Sequence, residues 1–344
     1  MKRLLCALIC IAFALTACGR VAAPLEAEAE VAEIFAMDTY MKLVAYGDGA
    51  RAALGEATAE ILHLEKLWSV TIETSDIAKL NALGAAEVAP ETRELLAAAV
   101  ETSELVGGAF DVTVFPVGRA WGFTTGTHRV PEGTELSELL LRVGSAQIEF
   151  DGAVVRTNGA ELDLGAIAKG AAAQRVVDLL RERGIQSAII SLGGNVQTLG
   201  AKPNGEPWSI AVQDPRNTAS YIGTVKLVDL AAVTSGGYQR FFEQNGIVYH
   251  HIIDPKTGRP ADSGLISATI VTADGALADA LSTAAFVLGF EDSVELWRSG
   301  KIAEFEMILI ESDGRIHVTE GLTGDFTAVE GSFEIIARQR PASG

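Results

Sequence analysis

The sequence predicts an α+β fold, a single large domain in which helices pack on a mixed sheet rich in antiparallel pairs. Hydrophobic residues make up 48% of the 344-residue chain, a proportion typical of a folded globular protein. Helix-patterned and strand-patterned stretches are mixed without a regular βαβ repeat. No stretch within residues 33–344 has the composition of an interdomain linker.

Strand patterns, rich in β-branched and aromatic residues, occur in six stretches along the chain. They are residues 41–46, 188–192, 209–212, 223–228, 265–272 and 307–311. Helical apolar periodicity occurs at residues 51–67, 91–106, 166–183 and 276–288. Gly107 and Gly184 directly follow two of these periodic stretches, where a glycine commonly terminates a helix.

The first 17 residues are typical of an export signal. A basic start is followed by an apolar run that is too short to span a bilayer. An ordinary cleaved signal would fit this layout, but residues 15–18 (LTAC) also resemble a lipobox, which predicts cleavage before Cys18 and lipidation of that cysteine. We therefore expect an exported lipoprotein, held by several acyl chains on a membrane face toward the periplasm or the cell exterior. Residues 18–32, rich in Ala and Glu, are interpreted as a lipidated tether.

Cysteine use and charge argue against several classes of function. Once the signal is removed, Cys18 is the one cysteine left in the sequence. The folded part is therefore expected to have no disulfide, no thiol nucleophile and no cysteine-based metal site. The net charge of −18, without a basic patch, argues against a nucleic acid partner. An anionic substrate on such a chain would need a local cation, so a metal ion is expected.

The densest candidate motif is DLGAIAKG, residues 163–170, which opens an amphipathic helix. The free N–H groups of a helix N-terminus suit a phosphate, Gly165 would let the backbone approach it, and Lys169 would place a positive charge beside it. Asp163 is suited to bind a polar ligand group or a metal. A plain helix start, with Asp163 as N-cap and Lys169 in solvent, fits the segment equally well.

A second candidate motif is ADALSTA, residues 278–284, early in an otherwise apolar helix. Asp279 and Thr283 are four residues apart, so their oxygens project from one helix face. A carboxylate and a hydroxyl in that arrangement suit a hard cation such as Mg²⁺. A helix-start carboxylate and a threonine bonded to the preceding turn would give the same pattern without a metal.

Three further segments combine glycines or a turn with polar residues. In HHIIDPKTGRP, residues 250–260, two histidines precede a turn; neighbours on a strand point to opposite sides, so at most one faces a given site. Such a histidine is suited to acid–base chemistry. Residues 107–116 (GGAFDVTVFP) and 191–195 (SLGGN) allow a ligand to approach the backbone, or merely turn the chain.

Taken in chain order, these segments resemble the ApbE family of FAD:protein FMN transferases, from about residue 35 to at least Gly289. Eight motifs carry the resemblance. They are Met37, TSDI with LN (74–77 and 80–81), GAFDVT (108–113), DLGAIAKG (163–170), GGN (193–195), TSGGY (234–238), HIIDPKTG (251–258) and ADALST (278–283). Each motif is short, but eight in register are not plausibly chance.

The resemblance implies a reaction: Mg²⁺-dependent cleavage of FAD and attachment of FMN by a phosphoester bond to a Thr or Ser of a partner flavoprotein, with release of AMP. The implied partner is an acceptor such as a subunit of a membrane redox complex. The implied Mg²⁺ ligands are Asp279, Thr283 and the backbone carbonyl of Ala166. The implied flavin-binding residues are Met37, Ala109, Phe110, Asp111, Asp163, Lys169 and Ile253. His251 and Lys169 are the expected catalytic residues.

Departures from the family's pattern concern ring packing. Thr71 stands where the family often has an aromatic residue, so a stacking contact is either missing or supplied by Trp68. Ala171 and Gln174 stand where an aromatic residue and an Asp usually occur. Two other functions are kept as alternatives: a Mg²⁺-dependent FAD pyrophosphatase giving FMN and AMP, and a non-catalytic flavin-binding lipoprotein. No acceptor motif is evident in the chain, so self-flavinylation is not expected.

Overall fold

A computed structural model describes residues 28–329 and 331–338 of the chain. The expected signal peptide, the lipidation site Cys18 and most of the expected tether lie outside the described residues. Strand β1 spans Ala29–Ala36, so folded structure begins before residue 33, where the domain was expected to start. The strand escapes prediction because Ala and Glu, which are depleted in strands, fill five of its eight positions.

Seven α-helices lie within the described residues, and three of the four helices predicted from the sequence match them closely. They are α1 (Ala50–Trp68), α2 (Asp76–Leu83), α3 (Pro90–Leu105), α4 (Phe115–Trp121), α5 (Gly133–Leu140), α6 (Ala168–Glu182) and α7 (Gly275–Ser299). Helices α1, α3 and α6 match the prediction to within two residues at each end. Helices α2, α4 and α5 are too short for their periodicity to stand out in the sequence.

Helix α7 is longer than predicted and is interrupted once. Gly289 has φ 81° and ψ −176°, a backbone conformation outside the helical region, and it directly follows the predicted end at residue 288. The chain then resumes a helical course to Ser299. The apolar periodicity therefore located the first of two helical segments that the interruption separates.

The strands of the described part include all six that the sequence predicts. After β1 they are β2 (Thr39–Tyr46), β3 (Ala85–Glu87), β4 (Glu149–Asp151), β5 (Val154–Arg156), β6 (Ser187–Leu192), β7 (Asn195–Leu199), β8 (Trp208–Asp214), β9 (Asn217–Leu227), β10 (Ala231–Gly236), β11 (Phe241–Gln244), β12 (Ile247–His250), β13 (Ile253–Asp254), β14 (Arg259–Pro260), β15 (Leu265–Thr272), β16 (Glu306–Glu311), β17 (Ile316–Thr319), β18 (Phe326–Ala328) and β19 (Glu334–Ile336).

A nine-stranded sheet organises the molecule, in the order β1-β2-β6-β7-β10-β15-β16-β17-β19. Its neighbouring strands are antiparallel except for β17 and β19, which run parallel. The predicted α+β fold with an antiparallel-rich sheet is confirmed. None of the helices within the described ranges has both the length and the apolar character needed to cross a bilayer.

Both faces of this sheet are covered. Helices α1, α6 and α7 pack on one face, and the small sheet β18-β9-β8 packs on the other. Strand β16 shows the division, because Met307 and Leu309 belong to the core on the helical side while Ile308 and Ile310 belong to the core on the opposite side. A strand buried on both faces is a continuous apolar run, which is why residues 307–311 were readily predicted.

A third, smaller core lies beside the main one and borders the candidate site. It joins helices α4 and α5 to the hairpin β11–β12, with Trp121 and Phe123 against Phe242 and Tyr249. The indole Nε1 of Trp121 donates a hydrogen bond of 2.8 Å to the backbone carbonyl of Gly258. This contact holds the turn after β13 against the end of α4.

Candidate active site

The loop that leads into α6 is built around Asp163. Its Oδ1 accepts a hydrogen bond of 2.8 Å from the backbone N–H of Gly165, and its own N–H donates to the carbonyl of Val112 at 2.8 Å. Helix α6 begins only at Ala168, and its N-cap residue, Ile167, makes no side-chain cap. The alternative in which Asp163 is the N-cap is therefore wrong, because Asp163 stabilises a turn ahead of the helix.

The carboxyl of Asp163 lies in an electrostatically mixed environment. Burial raises its pKa, while the hydrogen bond from Gly165 and the positive charges of Arg240 and Lys169 oppose that rise. A carboxyl that is costly to ionise, close to two cations, is typical of functional sites. The side chains of Arg240 and Lys169 therefore share the space in front of this loop with Asp163.

Lys169 and Asp279 come together across the interface of α6 and α7. The ammonium Nζ of Lys169 lies 3.7 Å from Oδ2 of Asp279 and donates a hydrogen bond of 2.9 Å to the carbonyl of Gly165. The same Oδ2 accepts a hydrogen bond of 2.9 Å from the N–H of Gly170. Asp279 is buried and the Lys169 side chain is only 24% exposed, so the alternative that places Lys169 in solvent is wrong.

The close approach of the two helices depends on Gly170. A Cβ at that position would lie 2.7 Å from the Cβ of Asp279 and closer still to the carbonyl oxygen of Gly275. Real Cβ atoms are essentially never that close to a neighbour, so a larger residue would push α7 away from α6. The glycine therefore sets the distance between the loop at Asp163 and the carboxylate of Asp279.

A row of hydroxyl groups extends from Asp279 toward strand β10. Ser235 Oγ lies 3.2 Å from Thr283 Oγ1 and 2.8 Å from Ser282 Oγ, and Ser282 donates to the carbonyl of Asp279 at 2.8 Å. Thr283 is thus held one helical turn after Asp279, as the sequence predicts. Ser235 was missed as a site residue, although its motif TSGGY was noticed, because only the packing of β10 on α7 reveals its contacts.

The donor set at this place suits Mg²⁺. A carboxylate, a hydroxyl and a backbone carbonyl such as that of Ala166 are hard oxygen ligands, and Mg²⁺ is usually held by one or two carboxylates together with substrate phosphates. Within residues 28–329 and 331–338 no group of three or more His, Cys, Asp or Glu side chains is arranged to bind a metal. A metal held here would therefore rest on one carboxylate, together with hydroxyl, carbonyl and substrate oxygens.

His251 is held beside the same space by the backbone. Its backbone N–H donates a hydrogen bond of 3.0 Å to the carbonyl of Arg240, and its ring Nδ1 lies 3.1 Å from the same oxygen. Burial, assisted by the charge of Arg240, lowers the pKa of His251 to about 4, so its ring is neutral at pH 7. His250 turns away, with Nε2 3.0 Å from the carbonyl of Ala261 and its ring edge-on to Phe286.

Three expected flavin-binding residues, Ala109, Phe110 and Asp111, lie in the segment between α3 and α4 and are all buried. Oδ1 of Asp111 accepts hydrogen bonds from the N–H and the hydroxyl of Thr113, and Oδ2 accepts one from the N–H of Ser145. The carboxylate of Asp111 therefore organises this segment. The hydrogen bond from Asp163 to Val112 ties the segment to the loop before α6.

The other two expected flavin-binding residues lie on neighbouring elements. Met37 occupies the turn between β1 and β2, with φ 48°, and its N–H donates to Glu65 of α1 at 2.6 Å. Ile253 begins β13 and is buried in the small core with Trp121. Contacts thus join Asp163, Lys169, Asp279 and Thr283 into one cluster, whereas the described contacts of Met37 and Ile253 lead to their own supporting elements.

Positions where the chain departs from the family's pattern make contacts of their own in the structure. Gln174 Oε1 accepts hydrogen bonds from Gln197 Nε2 at 2.6 Å and from the N–H of Gly275 at 3.2 Å, so it anchors the first turn of α7. Thr71 is exposed, and its hydroxyl lies 3.0 Å from that of Ser69. Trp68 is only 7% exposed and packs in the core, so it is not free to supply the missing stacking contact.

Comparison with known proteins gives concordant matches. The model of the ApbE family matches residues 37–308. A FAD:protein FMN transferase of Treponema pallidum is 33% identical over 95% of this chain and 96% of its own length. The crystal structure of an ApbE protein from Thermotoga maritima matches with a TM-score of 0.80 at 33% identity, covering 86% of this chain and 98% of that one. The apo flavinyl transferase ApbE of Pseudomonas stutzeri matches with a TM-score of 0.76 at 29% identity, covering 89% and 96%.

Proposed function

The chain belongs to the ApbE family, and we propose that it is a Mg²⁺-dependent FAD:protein FMN transferase that attaches FMN to a Thr or Ser hydroxyl of a partner flavoprotein. The observation that carries the proposal is the cluster of Lys169, Asp279 and Thr283 in front of the loop at Asp163. The relative from Treponema pallidum, which this chain matches over nearly its whole length, is named for the same transfer.

In the proposed reaction, the hydroxyl oxygen of the acceptor attacks the phosphorus of the FMN half of FAD. A new phosphoester bond forms, the bond from that phosphorus to the bridging oxygen breaks, and AMP leaves with the bonding electron pair. The acceptor proton must go to a base, and His251 is the proposed one, because its ring is neutral at pH 7 although its lowered pKa makes it a weak base. Lys169 would neutralise part of the charge that grows on the phosphate oxygens.

Asp279, Thr283 and the carbonyl of Ala166 are the residues that would hold Mg²⁺. When bound, the ion would supply Lewis-acid stabilisation of negative charge on the phosphates. The hydrogen bond from Gly170 and the ammonium of Lys169 both fall on Oδ2 of Asp279, and the hydrogen bonds of the described residues include none to its Oδ1. That arrangement supports a role for this carboxylate beyond joining two helices.

We further propose that the protein is an exported lipoprotein anchored through Cys18. Support for this comes from the sequence, in which a basic start, an apolar run and LTAC at residues 15–18 precede the folded domain. The acceptor would then be a flavoprotein domain on the same side of the membrane, such as a subunit of a membrane redox complex.

A transfer assay tests the proposed function. The chain from Gly19 onward is mixed with FAD, Mg²⁺ and a flavoprotein acceptor domain, and the acceptor is analysed by intact mass spectrometry. We expect a mass gain equal to FMN, one AMP released per acceptor, and no gain with Asp279→Ala. The matched control is Asp292→Ala, which removes an exposed carboxylate from the second segment of the same helix and should retain transfer.

The other outcomes identify the alternatives. Steady release of FMN and AMP without a gain in acceptor mass would indicate an FAD pyrophosphatase. FAD that stays bound and intact in the presence of Mg²⁺ would indicate a flavin-binding lipoprotein. A covalent flavin on the enzyme itself, without any acceptor, would contradict the expectation that the chain does not modify itself.

A further inference from the structure

Arg240 lies between β10 and β11, and its two ends make different contacts. The backbone carbonyl accepts hydrogen bonds from His251, and the guanidinium Nη2 donates to the carbonyl of Phe123 at 3.0 Å. Its guanidinium has no carboxylate within ion-pair distance among the described residues, whereas most arginines of this acidic chain do. An arginine fixed at one nitrogen and otherwise unpaired has N–H donors available for a ligand.

The charges of the cluster show why a second cation is needed there. Lys169 lies 3.7 Å from Asp279, so much of its positive charge is offset by that carboxylate. Asp163 adds another carboxyl to the same space. Without Arg240, Lys169 and Asp279 would sum to zero, and ionisation of Asp163 would make the total −1, which repels an anionic dinucleotide. The hydrogen bonds from the backbone N–H and Nδ1 of His251 to the carbonyl of Arg240 place this residue beside the site, and its positive charge opposes the rise in the pKa of Asp163.

We propose that Arg240 binds the pyrophosphate of FAD, as a second cation beside Lys169. This inference rests on the proposed function, in that it names the residue that receives the phosphates of the same substrate. A guanidinium offers two parallel N–H donors to a phosphate, an arrangement that an ammonium cannot reproduce. The bond from Nη2 to Phe123 limits the movement of the side chain, so less conformational freedom is lost when the phosphate binds.

The test measures FAD binding directly, in the presence of Mg²⁺ and without an acceptor. Quenching of flavin fluorescence gives the dissociation constant for the wild-type chain, Arg240→Ala and Arg240→Lys. We expect Arg240→Ala to weaken FAD binding about tenfold to a hundredfold, the range for losing a hydrogen bond to a charged group. Arg240→Lys should recover only part of the loss. Arg259→Ala, which removes an exposed arginine of β14, should bind FAD like the wild type.

Salt dependence separates phosphate binding from a structural role. The difference in FAD affinity between wild type and Arg240→Ala should shrink as NaCl is raised, because salt screens the lost charge interaction. A difference that persists unchanged in high salt, or an Arg240→Ala protein that binds FAD as tightly as wild type, would overturn the proposal. If the transfer assay fails while this binding loss occurs, the proposed function falls and the phosphate contact stands.

Discussion

The two faces of the main sheet have different interiors. On the helical side, buried polar groups occur among the apolar ones, including Asp279, Ser282 and Gln197. On the opposite side, the buried residues that β8 and β9 place against the sheet are apolar, among them Trp208 and Val225, and the sheet itself adds buried threonines such as Thr269. The polar groups of the helical side bond across element boundaries, which fixes the positions of the helices relative to one another.

The two faces of the sheet therefore have different roles: one fixes the positions of the site residues, and the other contributes stability. Apolar packing is tolerant of small shifts, since it stabilises without fixing directions, whereas hydrogen bonds between elements fix both distance and angle. The candidate site lies on the helical side, where Lys169 and Asp279 must stay in register. The opposite side contributes stability by burying apolar residues of the sheet. Changes on the two faces should therefore affect different measurable quantities.

The largest effect is expected from Asp279→Asn. The amide keeps the shape of the side chain and an oxygen for the N–H of Gly170, while it removes the charge next to Lys169. We expect the rate of FMN transfer to fall at least about a thousandfold, because the charge of the proposed Mg²⁺ ligand is lost. The melting temperature should change little. Retained transfer at normal Mg²⁺ would remove Asp279 from the metal site.

Alanine substitution of Gly170 and of Gly223, which lie on opposite sides of the sheet, compares the two faces next. A Cβ at Gly170 would collide with α7, and a Cβ at Gly223 in β9 would lie 2.5 Å from Cζ of Phe326. We expect both Ala variants to lose about 1–3 kcal/mol of unfolding free energy through overpacking. Gly170→Ala should also lose transfer activity about a hundredfold when assayed well below its melting temperature, since displacement near the reacting groups is costly.

Gly223→Ala, by contrast, should transfer FMN at the wild-type rate once it is folded. Urea unfolding and transfer rates, measured on the same samples, check the pair. Equal losses of activity in both variants would show that the site responds to packing on either face, against the division drawn above.

Gln174→Ala should have an intermediate effect. The substitution removes the acceptor for Gln197 and for the N–H of Gly275, so the first turn of α7 loses its anchor. Loss of such a supporting partner typically costs about tenfold to a hundredfold in metal affinity or activity. We expect the Mg²⁺ concentration for half-maximal transfer to rise about tenfold. Gln213→Ala, on the opposite side of the sheet, removes a hydrogen bond to the carbonyl of Thr218 and should leave this Mg²⁺ concentration unchanged.

The smallest effect on transfer concerns pH. The pKa of His251 is lowered from 6.5 to about 4, so the ring stays neutral as pH falls from 7 to 5 and transfer should not lose its base in that range. Because the folded form disfavours the charged ring, folding stability attributable to His251 is present above pH 6.5 and is lost as pH falls toward 4. NMR titration of the ring checks the value. A midpoint near 6.5 would contradict the burial of this histidine.

The sequence predicted the strands that carry continuous apolar runs and the long periodic helices, because burial imposes those patterns directly. It missed β1, in which Ala and Glu conceal a strand, and the short strands β11 to β14, whose pairing depends on neighbours. The motifs at residues 163–170 and 278–284 were recognised, but their contact was not predictable from the residues, since Gly170 and Asp279 are 109 positions apart.

Two residues of the site, Ser235 and Arg240, could not be identified as functional from the sequence. Each stands in or next to a recognised motif, TSGGY at residues 234–238, yet serine and arginine are common surface residues and nothing in their spacing marks them out. Their contacts arise from the packing of β10 on α7 and from the return of the chain to His251. Those are tertiary relations, which no local pattern encodes.

The interruption of α7 at Gly289 has a mechanical consequence. A straight helix of that length would act as a stiff lever, in which a tilt of the last ten residues, about 15 Å long, is passed on to the first turns. The non-helical Gly289 divides that lever into two shorter segments. The first is bonded to β10 through Ser282 and Thr283, while the second buries Val294 and Trp297 in the main core and is tied to Ala285 by the hydroxyl of Ser293. A load on the second segment is therefore carried by the core, and it is not passed along a single rod to Asp279.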